Sequence, residues 1–382
     1  MPFPCSSRPT WAEISVGALR RNFQRMRQLT GPGVTVCGVV KADAYGHGAI
    51  ECSRALEAEG AEWLGVTCTD EGVRLRRAGI QSRILIMTGC WRGEEADAVR
   101  YRLTPAVWQE EAVARLHHAA AEQECEVPIH IKVDTGMSRL GAPVEAVEQL
   151  CRRLHGLPRV RVEGALTHLA ASEVLDGGSQ RQLAAFETAL NILRNHGFDP
   201  PIVDAANSSA MVALPQARYN FVRPGISLYG YYLPFSAKGE AIPQPAPPAV
   251  EPVLSWKTRV TGMRNVSRGT AIGYGRTYHA ERAMTVAVLP VGYADGLNRK
   301  LSSKGRVLVR GAEAPITGRV SMDLTLIDVS SIPGVEIGDE VTLLGRSGPH
   351  AIDAWEHARH SGTIPYEVLC AISARVPRIF VP

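Results

Sequence analysis

The most constraining feature of the sequence is an alternation of short β-rich runs with longer amphipathic stretches between residues 11 and 230. The amphipathic stretches place apolar residues at helical spacing, as Leu19, Phe23 and Met26 do in the first of them. Eight strands, each followed by a helix or a loop, predict an α/β fold of the closed (β/α)8 TIM-like barrel type. The alternative, an open doubly wound sheet, normally carries a glycine-rich phosphate loop after its first strand, and the sequence has none there. The predicted strands are Val34–Lys41, Trp63–Cys68, Arg83–Thr88, Leu103–Val107, Val127–Asp134, Val160–His168, Pro201–Ala206 and Phe221–Leu228.

The pattern changes after residue 230. Residues 231–250 are rich in proline and show no periodicity, which indicates an interdomain linker. Beyond them, short strand-like runs alternate with glycine-containing turns, and only two stretches near the end have helical spacing. We therefore predict a (β/α)8 barrel domain over residues 1–240 and a β-rich C-terminal domain over residues 241–382. The short N-terminal segment, residues 1–12, is expected to pack with the C-terminal domain.

Composition excludes several classes of protein. The 382 residues are 45% hydrophobic and 21% charged, as in ordinary soluble enzymes. The net charge of +4 is spread along the chain without long basic runs, which argues against nucleic-acid binding. The eight cysteines are scattered, and neither a C-x-x-C pair nor a histidine-rich cluster suggests a metal site or a disulfide framework. We see no secretory signal and no apolar run of roughly 20 residues, so we expect a cytoplasmic protein that does not bind membranes.

The first predicted strand ends in a lysine. In VVKADAYGHG, residues 39–48, Lys41 follows an apolar run and precedes a loop that contains glycine, histidine and aspartate. Desolvation by apolar neighbours would lower the pKa of the amine and make it a nucleophile for Schiff-base chemistry. The alternative is a lysine whose charged end extends from the strand into water. This stretch alone leaves both interpretations open.

Polar residues also follow the other predicted strands, where barrel enzymes gather their working groups. Such a pattern across five segments is much more specific than any one of them. Taken singly, Lys132, Asp134 and Arg139 after the fifth predicted strand could form a surface ion cluster, and Gly225 could mark a tight turn. The polar segments after the later strands are Lys132, Asp134 and Arg139, Thr167–His168, Ala206–Ser209, and Arg223–Ile226.

These motifs resemble those of the alanine racemase family of pyridoxal-phosphate enzymes, and the resemblance spans nearly the whole chain. VVKADAYGHG resembles the motif whose lysine carries the cofactor, which makes Lys41 both its covalent anchor and a catalytic base. KVDTGMSRLG, residues 132–141, resembles the loop whose arginine, here Arg139, contacts the cofactor's phenolic oxygen and the substrate carboxylate. In many members the lysine at the position of Lys132 is carbamylated and pairs with that arginine.

The resemblance implies further cofactor contacts. Ser208, Gly225 and Ile226 match the phosphate-binding positions, and a hydroxyl with backbone amides suits a dianion. Arg223 matches the arginine that faces the pyridine nitrogen, where its permanent charge disfavours protonation of the ring. This restraint favours returning a proton to Cα over decarboxylation or transamination. The other cofactor-binding residues implied are Tyr45, His168, Asn207 and Tyr366.

The C-terminal domain matches the family as well. AIGYGRTY, residues 271–278, resembles the segment whose tyrosine, here Tyr274, is the second catalytic base, lent by the partner subunit. His168 is expected near that tyrosine, where it would tune the acidity of the phenol. The resemblance therefore implies a homodimer with composite active sites. The substrate-binding residues implied are Arg139, Tyr293, Met322 through its amide, and Asp323.

Two positions depart from the family pattern. Asp204 stands where many members have a histidine behind the pyridine-facing arginine, which leaves the strength of the restraint on the ring open. Ser321 stands where many have a cysteine, and we interpret it as a neutral packing variation.

We interpret the chain as a pyridoxal-phosphate-dependent racemase that interconverts L- and D-alanine, a cell wall precursor. Lys41 and Tyr274 of the partner subunit would act on opposite faces of Cα, since a single base on one face would restore the original hand. A serine racemase or a racemase of broader specificity has the same chemistry and remains open. Arg223 disfavours a barrel-fold amino-acid decarboxylase, and the long second domain with Tyr274 disfavours a non-catalytic cofactor carrier.

The assignment of Lys41 predicts the site of a covalent label. The purified protein should be yellow, and borohydride reduction followed by peptide mapping should locate a pyridoxyl group on Lys41, because reduction fixes the lysine–cofactor bond. A pyridoxyl group on Lys132 would overturn this assignment.

Overall fold

A computed structural model describes residues 8–237, 240–241 and 246–382, and these residues form two compact units. The first unit comprises Leu19–Ala44 and Ala49–Glu251. The second comprises the described residues up to Ala18 together with Tyr45–Gly48 and Pro252–Pro382. The domain boundary at residue 240 stays a prediction, and parts of the predicted linker and of the segment 1–12 lie outside the described residues.

The first unit is a closed barrel of eight parallel strands, which confirms the predicted fold class. Neighbouring strands pair in the order β5-β4-β3-β2-β10-β9-β8-β6, and β5 pairs with β6 to close the ring. The strands up to the end of the barrel are Thr10–Ser15 (β1, in the second unit), Thr35–Val39 (β2), Trp63–Val66 (β3), Arg83–Ile86 (β4), Leu103–Val107 (β5), Val127–Asp134 (β6), the short Ala142–Pro143 (β7), Val160–Leu166 (β8), Ile202–Asn207 (β9) and Phe221–Arg223 (β10).

Helices follow most of the barrel strands, and their apolar faces explain their position. Every residue of β3 and of β5 is buried, as expected for parallel strands that are covered on both faces. In the helix Gly178–Asn195 the buried stripe includes Leu183, Phe186 and Leu190. The helices of this part of the chain are Val16–Thr30, Ala49–Ala58, Thr69–Arg77, Glu95–Arg100, Glu110–Glu122, Val147–Leu154, Gly178–Asn195 and Ser208–Ala213, with 3-10 turns at Val144–Ala146, Pro215–Ala217 and Ile226–Tyr229.

Five predicted strands end earlier than the sequence suggested, and two of them, β3 and β4, end at Val66 and Ile86 rather than at Cys68 and Thr88. β2 ends at Val39, so Lys41 lies just beyond the strand, and β8 ends at Leu166 rather than at His168. β10 ends at Arg223, and a 3-10 turn over Ile226–Tyr229 replaces the predicted continuation. Pro224, which directly follows β10, has no N–H to donate to a strand ladder.

The segment after β2 is a left-handed helical turn, Lys41–Gly46. Its residues Ala42, Asp43, Ala44 and Tyr45 have φ angles of 52°, 53°, 55° and 55°. For residues other than glycine this conformation costs roughly 1–2 kcal/mol each. Hydrogen bonds at both ends offset part of this cost, from Ala42 N to Glu71 Oε1 at 2.6 Å and from Ala49 N to Asp43 Oδ1 at 2.8 Å. Strain of this kind is typical of functional sites.

The second unit is rich in β-strands, as predicted. β1 lies inside its largest sheet, antiparallel to β13 on one side and parallel to the last strand, β23, on the other. Two helices, Ala354–Ser361 and Pro365–Cys370, come near its end. The remaining strands in chain order are Ser236–Ala237 (β11) and Glu240–Ala241 (β12) in the first unit, followed by Leu254–Arg259 (β13), Gly262–Val266 (β14), Ala271–Ile272 (β15), Tyr278–His279 (β16), Met284–Leu289 (β17), Arg306–Val309 (β18), Ala312–Pro315 (β19), Thr325–Asp328 (β20), Glu340–Ser347 (β21), His350–Ile352 (β22) and Arg378–Val381 (β23). Among the described residues, no helix has both the length and the apolar character that a membrane crossing requires.

Candidate active site

Lys132 is a buried lysine in the last part of β6. Its Nζ donates a hydrogen bond to the carbonyl oxygen of Met87 at 2.8 Å. Burial first, and then the positive charges of Arg223, Arg139 and Lys41, lower the pKa of Lys132 to about 7, although Asp204 acts in the opposite direction. A substantial fraction of this amine is therefore neutral at neutral pH. Neutrality is a requirement for the predicted carbamylation, because only an unprotonated amine attacks carbon dioxide.

Arg223 connects the ends of three neighbouring barrel strands. Its Nε forms an ion pair with Asp204 Oδ2, and its Nη2 donates to the carbonyl oxygen of Thr167 at 2.7 Å. Its Nη1 lies 3.2 Å from His168 Nδ1. Because a guanidinium only donates, Nδ1 must be the unprotonated nitrogen of the ring. The pKa of His168 accordingly lies well below its ordinary value, through burial first and then the charges of nearby cations, Arg223 foremost.

Asp204 is the counter-ion of this network and is fully buried. Burial raises its pKa to about 6 even though Arg223 acts in the opposite direction. Its second oxygen, Oδ1, has no hydrogen-bond partner among the described residues. The carboxylate therefore holds Arg223 from one side and is itself only half satisfied.

The loop after β6 carries Arg139 and is shaped by Asp134. Asp134 Oδ1 accepts hydrogen bonds from the N–H groups of Gly136, Met137 and Ser138 at 2.9, 3.0 and 3.1 Å. Partial burial acts to raise the pKa of Asp134, but these backbone hydrogen bonds outweigh it and lower the pKa. The loop returns so closely at Gly141, where φ is 134°, that a Cβ there would lie 2.4 Å from Asp134 N. The exposed Arg139 thus belongs to a tightly built loop.

Hydroxyls and backbone amides cluster where β9 and β10 end. Ser208 Oγ accepts from the N–H of Gly225 at 2.9 Å and from Ser227 Oγ at 3.0 Å. Asn207 caps the helix Ser208–Ala213, since its Oδ1 accepts from two N–H groups in the first turn of that helix. Ile226 begins the 3-10 turn that follows Gly225. The structure thus brings these four predicted cofactor-binding residues together.

The second unit carries Tyr274 on a strained turn. Gly273, Gly275 and Arg276 all have positive φ angles, of 76°, 72° and 52°. A Cβ at Gly275 would lie 2.9 Å from Nη1 of Arg319, so the turn packs directly on that side chain. Tyr274 is 74% exposed in the single chain.

Tyr293, Met322 and Asp323 belong to two adjoining loops of the second unit. Tyr293 N donates to the carbonyl oxygen of Ser321 at 3.0 Å, and Ala294 N donates to that of Met322 at 3.1 Å. The side chain of Asp323 accepts from Arg375 Nη2 at 2.7 Å. In the same unit the Tyr45 and Tyr366 rings lie 6.0 Å apart between centroids.

Models of protein families match almost all of this chain. The model of the alanine racemase N-terminal domain matches residues 14–233, and that of the alanine racemase C-terminal domain matches residues 253–380. The chain is 40% identical over 379 residues to the alanine racemase of Halothermothrix orenii, with 97% of each chain covered. It is 39% identical over 381 residues to that of Geobacter sulfurreducens, with 98% of each covered.

The chain belongs to the alanine racemase family. It is an enzyme of the isomerase class, and the cofactor of its family is pyridoxal phosphate.

Solved alanine racemases agree with this placement. The enzyme of Bacillus anthracis with bound L-Ala-P superposes with a TM-score of 0.90 at 34% identity, covering 100% of this chain and 96% of that one. The enzyme of Clostridium difficile 630 in complex with cycloserine gives 0.87 at 31% identity, covering 98% and 96%. The enzyme of Bartonella henselae with covalently bound pyridoxal phosphate gives 0.85 at 28% identity, covering 99% and 100%.

The residues at the end of the barrel fit the cofactor of the alanine racemase family. Lys41, Lys132, Arg139 and Arg223 all lie close enough to His168 to lower its pKa, so cations dominate this end of the barrel. Such a surrounding suits a phosphate, a phenolic oxygen and a substrate carboxylate. The cluster of hydroxyls and amides around Ser208 adds donors that a dianion can use. Which of these residues contacts which cofactor atom stays a prediction.

Two positioning residues escaped the sequence analysis. Gln182 Oε1 accepts from Ala170 N at 2.8 Å, and its Nε2 lies 3.2 Å from Thr135 Oγ1 and 3.3 Å from the carbonyl oxygen of His168. Gln182 is a polar residue on the buried stripe of the helix that carries Phe186, and this unusual position could have indicated its role. Glu71 holds the start of the left-handed turn, and nothing in its sequence context distinguishes it from a surface glutamate.

The low pKa of Lys132 predicts a pH dependence of stability. The folded protein releases this proton near pH 7, whereas the unfolded chain keeps it up to the ordinary value of 10.5. Between these values the unfolded state binds more protons, so the free energy of unfolding gains up to about 1.4 kcal/mol per pH unit from this residue. Relative to a Lys132→Met variant, the cofactor-free protein should therefore become more stable as the pH rises from 7 to 10. Urea unfolding in buffers purged of carbon dioxide measures this difference.

The control for this measurement is the exposed Lys304. A Lys304→Met variant should follow the wild-type pH dependence throughout. Parallel stability curves for the wild type and Lys132→Met would contradict the low pKa.

Proposed function

We propose that this protein interconverts L- and D-alanine with pyridoxal phosphate, using Lys41 and Tyr274 of the partner subunit as its two bases. The observation that carries the proposal is the convergence of Lys41, Lys132, Arg139 and Arg223 on one end of a barrel whose whole chain resembles alanine racemases. Two solved relatives support alanine as the substrate, because one was determined with L-Ala-P and another with cycloserine.

The barrel residues would hold the cofactor and fix its charge. Lys41 is the covalent anchor, Ser208, Gly225 and Ile226 bind the phosphate, and Arg223 faces the pyridine nitrogen. When bound, pyridoxal phosphate withdraws electrons from the attached amino acid and so acidifies its Cα–H bond. The fixed charge of Arg223 keeps the ring nitrogen unprotonated, which limits this withdrawal and keeps the reaction at proton exchange.

Two bases on opposite faces then account for the change of hand. In one direction the Lys41 amine removes the Cα proton and the Tyr274 phenol returns one to the opposite face. The reverse direction exchanges their roles. Arg139 and the Met322 amide orient the substrate carboxylate, so that the Cα–H bond points at one base or the other.

Chiral analysis of the products tests the function directly. Purified protein with pyridoxal phosphate should convert L-alanine and D-alanine to the same racemic mixture. The specificity constant should be at least about tenfold lower for L-serine, because the extra hydroxyl has no partner in a pocket suited to a methyl group. Faster racemisation of serine would replace alanine as the substrate, and carbon dioxide release from basic amino acids would indicate a decarboxylase.

Mixed dimers test the composite site. Lys41→Ala and Tyr274→Phe should each be nearly inactive alone, because each removes one of the two bases. In a hybrid, one site receives both defects and the other receives none, since a two-fold interface exchanges the same elements in both directions. Random reassortment of equal amounts makes about half of the dimers hybrids, so about a quarter of the wild-type activity should return.

The racemisation rate after co-expression of the two variants measures this recovery, with purified hybrids to confirm the count. As a matched control, Lys41→Ala combined with a Lys41→Ala, Tyr274→Phe double variant should recover nothing, because no site in their hybrids is intact. Hybrids that form and stay as inactive as their parents would show that Tyr274 does not act across the interface.

A further inference from the structure

Arg8 is a hub in the second unit. Its guanidinium forms a two-pronged ion pair with Asp295, Nη1 to Oδ1 at 2.8 Å and Nη2 to Oδ2 at 3.0 Å. The same Nη2 faces two carbonyl oxygens, that of Pro290 at 2.6 Å and that of Asp323 at 3.0 Å. The paired donors of a guanidinium lie in a rigid plane, which makes such contacts geometrically specific. A lysine ammonium lacks this planar arrangement.

The oxygens that Arg8 binds belong to the two loops that carry predicted substrate-binding residues. One loop contains Pro290, Tyr293 and Asp295, and the other contains Met322 and Asp323. The loops also bond to each other through the N–H groups of Tyr293 and Ala294, as described above. Arg8 therefore adds a side-chain contact to each loop at once.

The buried Asp295 holds the Arg8 guanidinium in a fixed position. It is 1% exposed, and its Oδ2 also accepts from the N–H of Gly292 at 2.9 Å. A Cβ at Gly292 would lie 2.3 Å from the carbonyl oxygens of Ser321 and Met322, so the two loops approach closely at this point. Arg375 Nε is 3.5 Å from Asp295 Oδ1, and Arg375 touches only carboxylates in this cluster.

The loop from Ser321 to Leu324 is a tight turn that leaves its two middle amides, those of Met322 and Asp323, without a partner among the described residues. Ser321 Oγ donates to the carbonyl oxygen of Leu324 at 2.7 Å and accepts from Leu324 N at 3.1 Å. The carbonyl oxygens of Ser321, Met322 and Asp323 all accept hydrogen bonds within the unit. The N–H of Met322 has no hydrogen-bond partner among the described residues. A turn amide that has no partner among the described residues of the unit is suited to an external acceptor such as a carboxylate.

We propose that Arg8 is a positioning residue that fixes the Met322 amide for the substrate carboxylate by binding both loops and Asp295. This inference rests on the proposed function, because Met322 receives its role there. Arg8 itself does not touch the substrate. Its guanidinium holds the loop whose Met322 amide contacts the substrate.

Arg8→Lys tests the proposal, because it keeps the charge beside Asp295 and removes Nη2, the nitrogen that reaches both carbonyl oxygens. The contact to the carboxylate is present in both ground and transition states, so the KM for L-alanine should rise about tenfold while kcat changes less than about twofold. The dissociation constant of acetate, a carboxylate without an amine, should rise by a similar factor. It is read from the cofactor absorbance of the holoenzyme. The dissociation constant of pyridoxal phosphate should stay unchanged, since its proposed ligands around Ser208 belong to the first unit, just beyond the ends of β9 and β10.

Arg282→Lys is the matched control, because Arg282 also pairs with an aspartate, Asp328 at 2.8 Å, and with a carbonyl oxygen in the same unit. It should leave all three constants at their wild-type values. If Arg8→Lys does not fold, the double variant Arg8→Gln, Asp295→Asn removes both charges together and leaves no buried carboxylate unpaired. The same rises in KM and in the acetate constant are expected for it.

An unchanged KM and acetate constant in a folded Arg8 variant would overturn the proposal, as would an equal loss of cofactor affinity, which indicates general loosening. Failure of the proposed function is a separate outcome. In that case the wild type does not racemise alanine, and acetate binding to the holoenzyme still decides the role of Arg8.

Discussion

Positive charge gathered at one end of the barrel is the constraint on which this part of the structure depends. Four cationic side chains act on one histidine there, and each must be neutralised, discharged or exposed. Lys132 can release its proton, His168 stays neutral, and Arg139 lies at the surface. Arg223 can be neither discharged nor exposed, because a guanidinium keeps its proton and this one is buried. Asp204 therefore has a structural role as the counter-ion of Arg223, which is independent of any effect on the cofactor.

The choice of an aspartate at that position has an electrostatic cost. Its pKa of about 6 means that a fully buried carboxylate is held ionised only by its neighbours. A carboxylate cancels more of the guanidinium's field than a neutral side chain would, so a cofactor ring facing Arg223, as proposed, would experience a smaller net charge. The unpartnered Oδ1 indicates that the pair is adjusted for charge rather than for complete hydrogen bonding.

The barrel could be predicted from the sequence because the pattern that indicates it is repetitive. Periodic apolar residues and eight strand-like runs agree with one another, and strands such as Leu103–Val107 and Val127–Asp134 have the predicted bounds. The sequence also predicted that most candidate residues of the barrel would lie near one another, because parallel strands bring their carboxyl ends to one edge. The misses have local causes. No propensity predicts four left-handed residues in a row after Lys41, since tertiary contacts such as that of Glu71 hold them. Arg8 was missed because an arginine near a chain terminus resembles a surface charge until its partners are known.

The position of β1 has a consequence for the order of synthesis. This strand leaves the ribosome well before β23, with which it pairs. The largest sheet of the second unit can therefore close only after the barrel strands, which lie between β1 and β23 in the chain, have been made. Until then β1 offers one unpaired edge to other chains, a recognised route to misassembly. The barrel strands between them have no such delay. The interval between the synthesis of β1 and its pairing with β23 is therefore the period in which this edge is open to aggregation.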